Sequence, residues 1–131
     1  MKIIDKLAYL HLKNNRILST RSKGKDVYYI PGGKRELGES DHTALIREVK
    51  EELSVDLMEN TLKYEGTFEA QAHDHSKGII VKMTCYSGSY EGILKAASEI
   101  EEIVWLEYSD LDKVSPVDKI IFKWLRKQGL L

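Results

Sequence analysis

Residues 41–53 carry two stripes of opposite chemistry on what their spacing predicts to be one helix. With Arg47 at zero and about 100° per residue, Leu45, Val49, Leu53 and Ile46 fall at roughly 160° to 260°. Glu51, Glu48 and Glu52 fall near 40°, 100° and 140°, on the next arc. The apolar arc commits one face to a core. The acidic arc places like charges at i,i+3 and i,i+4, which costs about a few tenths of a kcal/mol per exposed pair. A solvated acidic face is the ordinary explanation for such a run. The other is a hard cation, because carboxylates one turn apart on a rigid helix can supply part of an octahedral, oxygen-only magnesium shell.

The helix start is well marked. Ser40 is a good N-cap, and Asp41 sits in the first turn, where the dipole favours an anion. Just upstream, Pro31-Gly32-Gly33 lets the backbone turn sharply and approach a ligand or ion closely. Strands are predicted from Ile3 to Leu12 and from Arg16 to Arg21, joined by an Asn14-Asn15 turn. A short β-rich run follows at Val27–Ile30 and ends at Pro31. Further strands are predicted over 62–72, 78–87 and 100–108, with a polar loop over 71–77 and a helical turn over 109–112. Ser115-Pro116 reads as an N-cap and first helical position for a terminal amphipathic helix, with Gly129 as its stop. This order predicts an α/β fold with a mixed sheet between helices.

Composition narrows the function. The 131 residues fit one domain, 1–131. Twenty basic side chains nearly cancel twenty-one acidic ones, giving a net charge of −1. A basic excess that would neutralise duplex nucleic acid is missing, so a small polyanion is the expected partner. Cys85, the only cysteine, lies in an apolar strand-like run and reads as a buried structural thiol. A single thiol and no 18-residue apolar run make a cytoplasmic protein with no membrane partner the expectation.

The stretch from Gly33 to Val55, GKRELGESDHTALIREVKEELSV, resembles the Nudix box. Gly33 is followed after five residues by Glu39, and after seven more by Arg47-Glu48-Val49-Lys50-Glu51-Glu52-Leu53-Ser54-Val55. Every defining position matches except the last glycine, which here is Ser54. Serine at that place either accepts a steric cost at positive φ or ends the helix differently. The resemblance implies the family's α/β/α sandwich and a MutT-like hydrolase of diphosphate bonds. It implies a divalent cofactor, magnesium or alternatively manganese.

Carried over residue by residue, the resemblance makes Glu48, Glu51 and Glu52 metal ligands, with the Gly32 carbonyl completing the shell. Arg47 and Glu39 match a pair in which the arginine orients carboxylates. Glu48 or Glu52 is the expected base, with Glu99 in reserve. Glu99 also matches a late-loop metal ligand six residues before Trp105, with Glu101 and Glu102 as rivals. Lys34 and Arg21 (or Lys23) are placed to meet phosphate, and Tyr29 (or Tyr28) to stack on a base. Asp118 either reads a base edge or stabilises the first turn of the last helix.

The expected substrate is a nucleoside triphosphate, oxidised ones included, or another nucleoside diphosphate derivative such as ADP-ribose or a nucleotide sugar. Pairing as a homodimer is common in the family and left open here. A non-catalytic nucleotide-sensing module is the main rival, although such modules usually have damaged boxes. An isomerase of isoprenoid diphosphates would need an active-site cysteine, and Cys85 has no clear match. A purely structural domain with an acidic helix is the remaining reading. His73-Asp74-His75 has alternate imidazoles, yet a polar loop explains them better than a metal cluster.

Overall fold

The computed structural model describes residues 2–72 and 77–131, so the His73-Asp74-His75 stretch lies outside the described residues. In chain order the elements are β1 (Lys2–Tyr9), β2 (Leu12–Lys13), β3 (Arg16–Ser22), β4 (Gly32–Lys34) and α1 (Asp41–Leu53). There follow β5 (Asp56–Leu57), β6 (Lys63–Gln71), β7 (Ile79–Ser87), β8 (Tyr90–Glu91), β9 (Ile100–Leu106) and α2 (Pro116–Lys127). Short 3-10 turns cover Glu59–Thr61 and Tyr108–Lys113. Strands β4-β1-β7-β6 form a mixed sheet in which only β1 and β7 run parallel. Strands β2-β3-β9 form an antiparallel sheet, and β5 pairs with β8.

The layering follows from alternation along the strands. Leu7 and Tyr9 of β1 join Leu18 and the α1 residues Ala44, Leu45, Val49 and Leu53 in one apolar cluster. Ile4 and Ala8 of the same strand join Ile17, Val81, Met83 and the α2 residues Val117, Ile121, Phe122 and Leu125 in another. The sheets are therefore sandwiched between the two helices, as the α/β/α expectation requires. Asn14 and Asn15 both take positive φ, 54° and 57°, which makes the tight turn between β2 and β3. Cys85 is fully buried in the α2-side core, which accounts for its presence without chemistry.

Two local expectations are corrected. Val27–Ile30 is not a strand: Tyr28 and Tyr29 make only isolated bridges. The strand lies instead in the glycine turn, at Gly32–Lys34, where Ala8 pairs with Gly32 and Leu7 with Gly33. Ser115 occupies the N-cap position of α2, but its buried hydroxyl makes no capping bond and lies beside Asp118 instead. At the end of α1, Ser54 adopts the left-handed conformation of the glycine it replaces, with φ 66°.

Candidate active site

The segment Ile30-Pro31-Gly32 runs between the two helices, and each helix holds it with a carboxylate. From α1, Glu52 Oε1 accepts the Gly32 N–H at 3.0 Å. From α2, Asp118 Oδ2 accepts the Ile30 N–H at 2.9 Å. The Pro31 carbonyl accepts the Tyr9 N–H of β1 at 2.8 Å. Gly32 is needed for close approach to backbone, while at Gly33 a side chain would displace the Glu48 carboxylate. A Cβ on Gly32, whose φ is 144°, would overlap the Leu7 carbonyl oxygen, and one on Gly33 would overlap the Glu48 carboxylate.

Arg47 organises the exposed side of α1. Its Nε and Nη2 donate to the two oxygens of Glu39 at 2.7 and 2.8 Å, a bidentate pair. Its Nη1 donates to Glu48 at 2.7 Å and to Glu51 at 3.3 Å, and Nη2 also reaches the Lys34 carbonyl at 3.0 Å. The Arg47 guanidinium holds Glu39 down to about 2, and the Glu39 carboxylate in turn holds the guanidinium firmly protonated. Glu39 also accepts the Glu36 N–H at 2.8 Å. It thus ties the loop before α1 to the helix and does not itself line the cleft.

A cleft of about 590 Å³ opens between the sheets and the helices. One wall carries Glu48, Glu52 and Glu99 beside Gly32, Gly33 and Lys34; the other end is lined by Ile4, Val81, Met83, Tyr29 and Val117. Glu52 is only 7% exposed, and burial with Glu99 and Glu48 nearby pushes its carboxyl up to about 8. Glu48 is raised by the same burial, against the pull of Arg47. Glu99 is held low by the Ser98 hydroxyl, which donates to it at 2.6 Å.

The loop bearing Glu99 is docked on the end of α1. Lys95 N–H donates to the Leu53 carbonyl, Ala97 N–H to that of Glu52, and the Ser54 hydroxyl to that of Lys95, at 2.9, 3.1 and 2.9 Å. That docking sets Glu99 within hydrogen-bonding reach of Glu52.

The oxygen-only donor set of Glu48, Glu52 and Glu99 beside the Gly32–Gly33 backbone suits a hard cation. Among the described residues no three acidic, histidine or cysteine side chains already converge as a closed ligand set. Glu51 stands apart, with its side chain half exposed toward Arg47 and off the cleft wall. Of the acidic rivals, Glu102 pairs with Arg21 and with the Tyr28 hydroxyl, and Glu101 is exposed. Arg21 is accordingly engaged with Glu102 at 3.3 Å and the Lys25 carbonyl at 3.2 Å, and does not line the cleft. Tyr29, rather than Tyr28, faces the cleft.

Asp118 is fully buried behind the lining residues Pro116 and Val117, with the Ser115 hydroxyl beside it. Burial raises its carboxyl to about 7. Lys6, Lys25, Thr20 and Ser22 also line the cleft and were not singled out from sequence. The signal for Lys6 was present: a lysine between Ile4 and Ala8 interrupts the core-facing side of a strand.

Comparison with known proteins agrees with this geometry. The sequence pattern of the NUDIX domain matches residues 7–127. The chain is 30% identical over 135 residues to YvcI, an uncharacterized Nudix hydrolase of Bacillus subtilis, covering 95% of this chain and 85% of that protein. It is 28% identical over 118 residues to an ADP-ribose pyrophosphatase of Methanocaldococcus jannaschii, covering 87% of this chain and 68% of that one. Its fold matches a MutT protein from Methanosarcina mazei with a TM-score of 0.77 at 17% identity, over 98% and 96% of the two chains. The box, the cleft it lines and these likenesses make the chain a member of the Nudix hydrolase family.

Proposed function

We propose that the chain is a magnesium-dependent pyrophosphohydrolase acting on a nucleoside triphosphate, oxidised ones included, with manganese as the alternative ion. The observation that carries this reading is the sharing of one cleft by Glu48, Glu52, Glu99 and the Gly32–Lys34 turn, with an apolar and aromatic end beyond them. Nudix hydrolases generally use divalent metals. Glu48, Glu52 and Glu99, with the Gly32 carbonyl and Glu51 at the edge, are the residues that would hold the ion. A bound cation supplies positive charge against the diphosphate and acidifies water.

The chain's own groups do the rest. Glu52, lining the cleft and held by the Gly32 N–H, takes a proton from the attacking water. Glu48 is the second choice of base and Glu99 the reserve. Arg47, clamped by Glu39, keeps Glu48 oriented toward the cleft. Lys34 meets a phosphate oxygen. Tyr29 offers its ring to a base, and Asp118, enclosed behind that end of the cleft, holds the Ile30 N–H and so the segment that carries Tyr29. Arg21 can join as a phosphate contact only by leaving Glu102.

The named activity of the Methanocaldococcus jannaschii relative favours a second reading, an ADP-ribose or nucleotide-sugar pyrophosphatase. A panel of nucleoside triphosphates, ADP-ribose and nucleotide sugars incubated with magnesium, with products separated by chromatography, decides between them. Turnover of one class at least about tenfold above the other selects it. Negligible turnover of all, with or without chelator, removes the enzymatic reading and leaves a nucleotide-binding module.

A further inference from the structure

Lys6 is a half-buried cation on a core-facing strand position, with no carboxylate of the described residues in direct ion-pair contact. Its same-face neighbours on β1, Ile4 and Ala8, are buried in the α2-side core. Cross-strand pairing sets Lys6 opposite Lys34 of β4 on one side and Met83 of β7 on the other, and all three line the cleft. The Lys6 ammonium lies 5.7 Å from the centre of the Tyr29 ring. Among the described residues neither Lys6 nor Lys34 has a carboxylate within ion-pair distance. Asp118, Glu52 and Glu48 are the acids that Lys6 feels at longer range, and Lys34 opposes them. A half-buried cation set beside a second cation is unfavourable in both burial and like charge. The arrangement becomes favourable when an anion lies between the two.

We propose that Lys6 and Lys34 together form a phosphate cradle. It holds oxygens of the substrate's diphosphate in the same cleft as Glu48, Glu52 and Glu99. Two point charges at cross-strand spacing, roughly 5 Å apart at Cβ, suit a multiply charged oxyanion. A base carbonyl would engage one ammonium and leave the other repelled. Burial lowers the proton affinity of Lys6, and an anion in the cradle restores it. The proposal rests on the reading of the cleft as a diphosphate site and adds to it a contact outside the Nudix box.

The test is calorimetric binding of inorganic pyrophosphate in the presence of chelator, with no divalent ion and no nucleoside. Wild type should bind in a salt-sensitive way. Lys6→Met, whose unbranched stem fills the same space, should bind at least about tenfold more weakly while melting at or above the wild-type temperature. Lys6→Arg should retain most of the binding. In steady state with the preferred substrate, Lys6→Met should raise KM by about tenfold and leave kcat within about threefold. Should Lys6→Met not fold, Lys6→Gln carries the same prediction.

Equal pyrophosphate affinity in wild type and the neutral variants overturns the cradle. So does absence of binding to wild type, or an effect confined to preference among bases. Lys6-dependent pyrophosphate binding alongside a substrate panel without turnover would keep the cradle and remove the hydrolase, so the two failures are distinguishable.

Discussion

Glu52 and Asp118 are buried carboxylates on opposite helices, and they hold neighbouring residues of the same backbone segment. Each accepts one N–H, from Gly32 and from Ile30 respectively, and each has its proton affinity raised by burial. Their surroundings differ. Glu52 lines the cleft among Glu48 and Glu99, so its second oxygen looks onto other acids. Asp118 is enclosed, with the buried Ser115 hydroxyl beside it. Both therefore help to fix the glycine turn, but only one can also meet water and phosphate directly. A buried carboxylate bound to backbone is an architectural device by default, and its company decides whether it is chemical as well.

The largest effect expected from this contrast is at Glu52. Glu52→Gln keeps an acceptor for the Gly32 N–H but removes the charge, so turnover should fall about a thousandfold or more while the melting temperature holds or rises. Turnover within tenfold of wild type would place Glu52 with Asp118 as architecture only.

Asp118 should show its effect in stability. Its folded-state value of about 7 lies above the unfolded value of about 3.9, so the folded chain binds more protons between them. The Asp118 contribution to stability should decline as pH rises from about 4 to about 7 and be level above, beside a separate decline from Glu52 that runs to about pH 8. Asp118→Asn keeps an acceptor for the Ile30 N–H and should remove that decline, gaining on the order of a few kcal/mol over wild type at pH 8. Urea unfolding at pH 5 and pH 8 measures it, and parallel pH profiles for the two proteins would contradict it.

The Glu39–Arg47 pair has the opposite sign. Arg47 holds Glu39 at about 2, below its unfolded value, so the stability it contributes is present above about pH 4.4 and is lost as pH falls through about 2. Glu39→Gln should flatten the acid limb of the unfolding curve, as followed by circular dichroism, and an unchanged limb would remove the pair from the stability argument.

The smallest effect is at Ser54. Glycine there relieves a left-handed serine but loses the hydroxyl bond to the Lys95 carbonyl, each about 1 kcal/mol. Ser54→Gly should leave the melting temperature nearly unchanged and lower turnover by a few-fold, because the loop that sets Glu99 beside Glu52 is less firmly held. Unaltered turnover would show the loop held well enough by the Leu53 and Glu52 carbonyls alone.

The helix 41–53 was legible to the residue because three signals agree over one segment: the Ser40 cap, the apolar period and the end at Ser54. The strand at Gly32–Lys34 was not, because glycines read locally as a break and become a strand only when β1 offers a pairing edge. Ser115 illustrates the same limit. Its hydroxyl is a capping group by local rule, yet tertiary packing leaves it without the capping bond. Lys6 was visible as a break in a strand's pattern, but its meaning required Lys34 and the cleft around both.

Side-chain periodicity depends on residues near one another in the chain, so the sequence alone determined the helix, its acidic face and the fold class, while the Arg47–Glu39 pairing followed from the resemblance to the Nudix box. Which acids share a cavity depends on elements far apart in sequence, and only packing decides it. The folded chain brought Glu99 to Glu52, paired Glu51 with Arg47 at the edge of the cleft, engaged Arg21 with Glu102, chose Tyr29 over Tyr28, and set Lys6 beside Lys34 in the cleft. Those choices follow from sheet register and loop docking, which no local pattern of residues encodes.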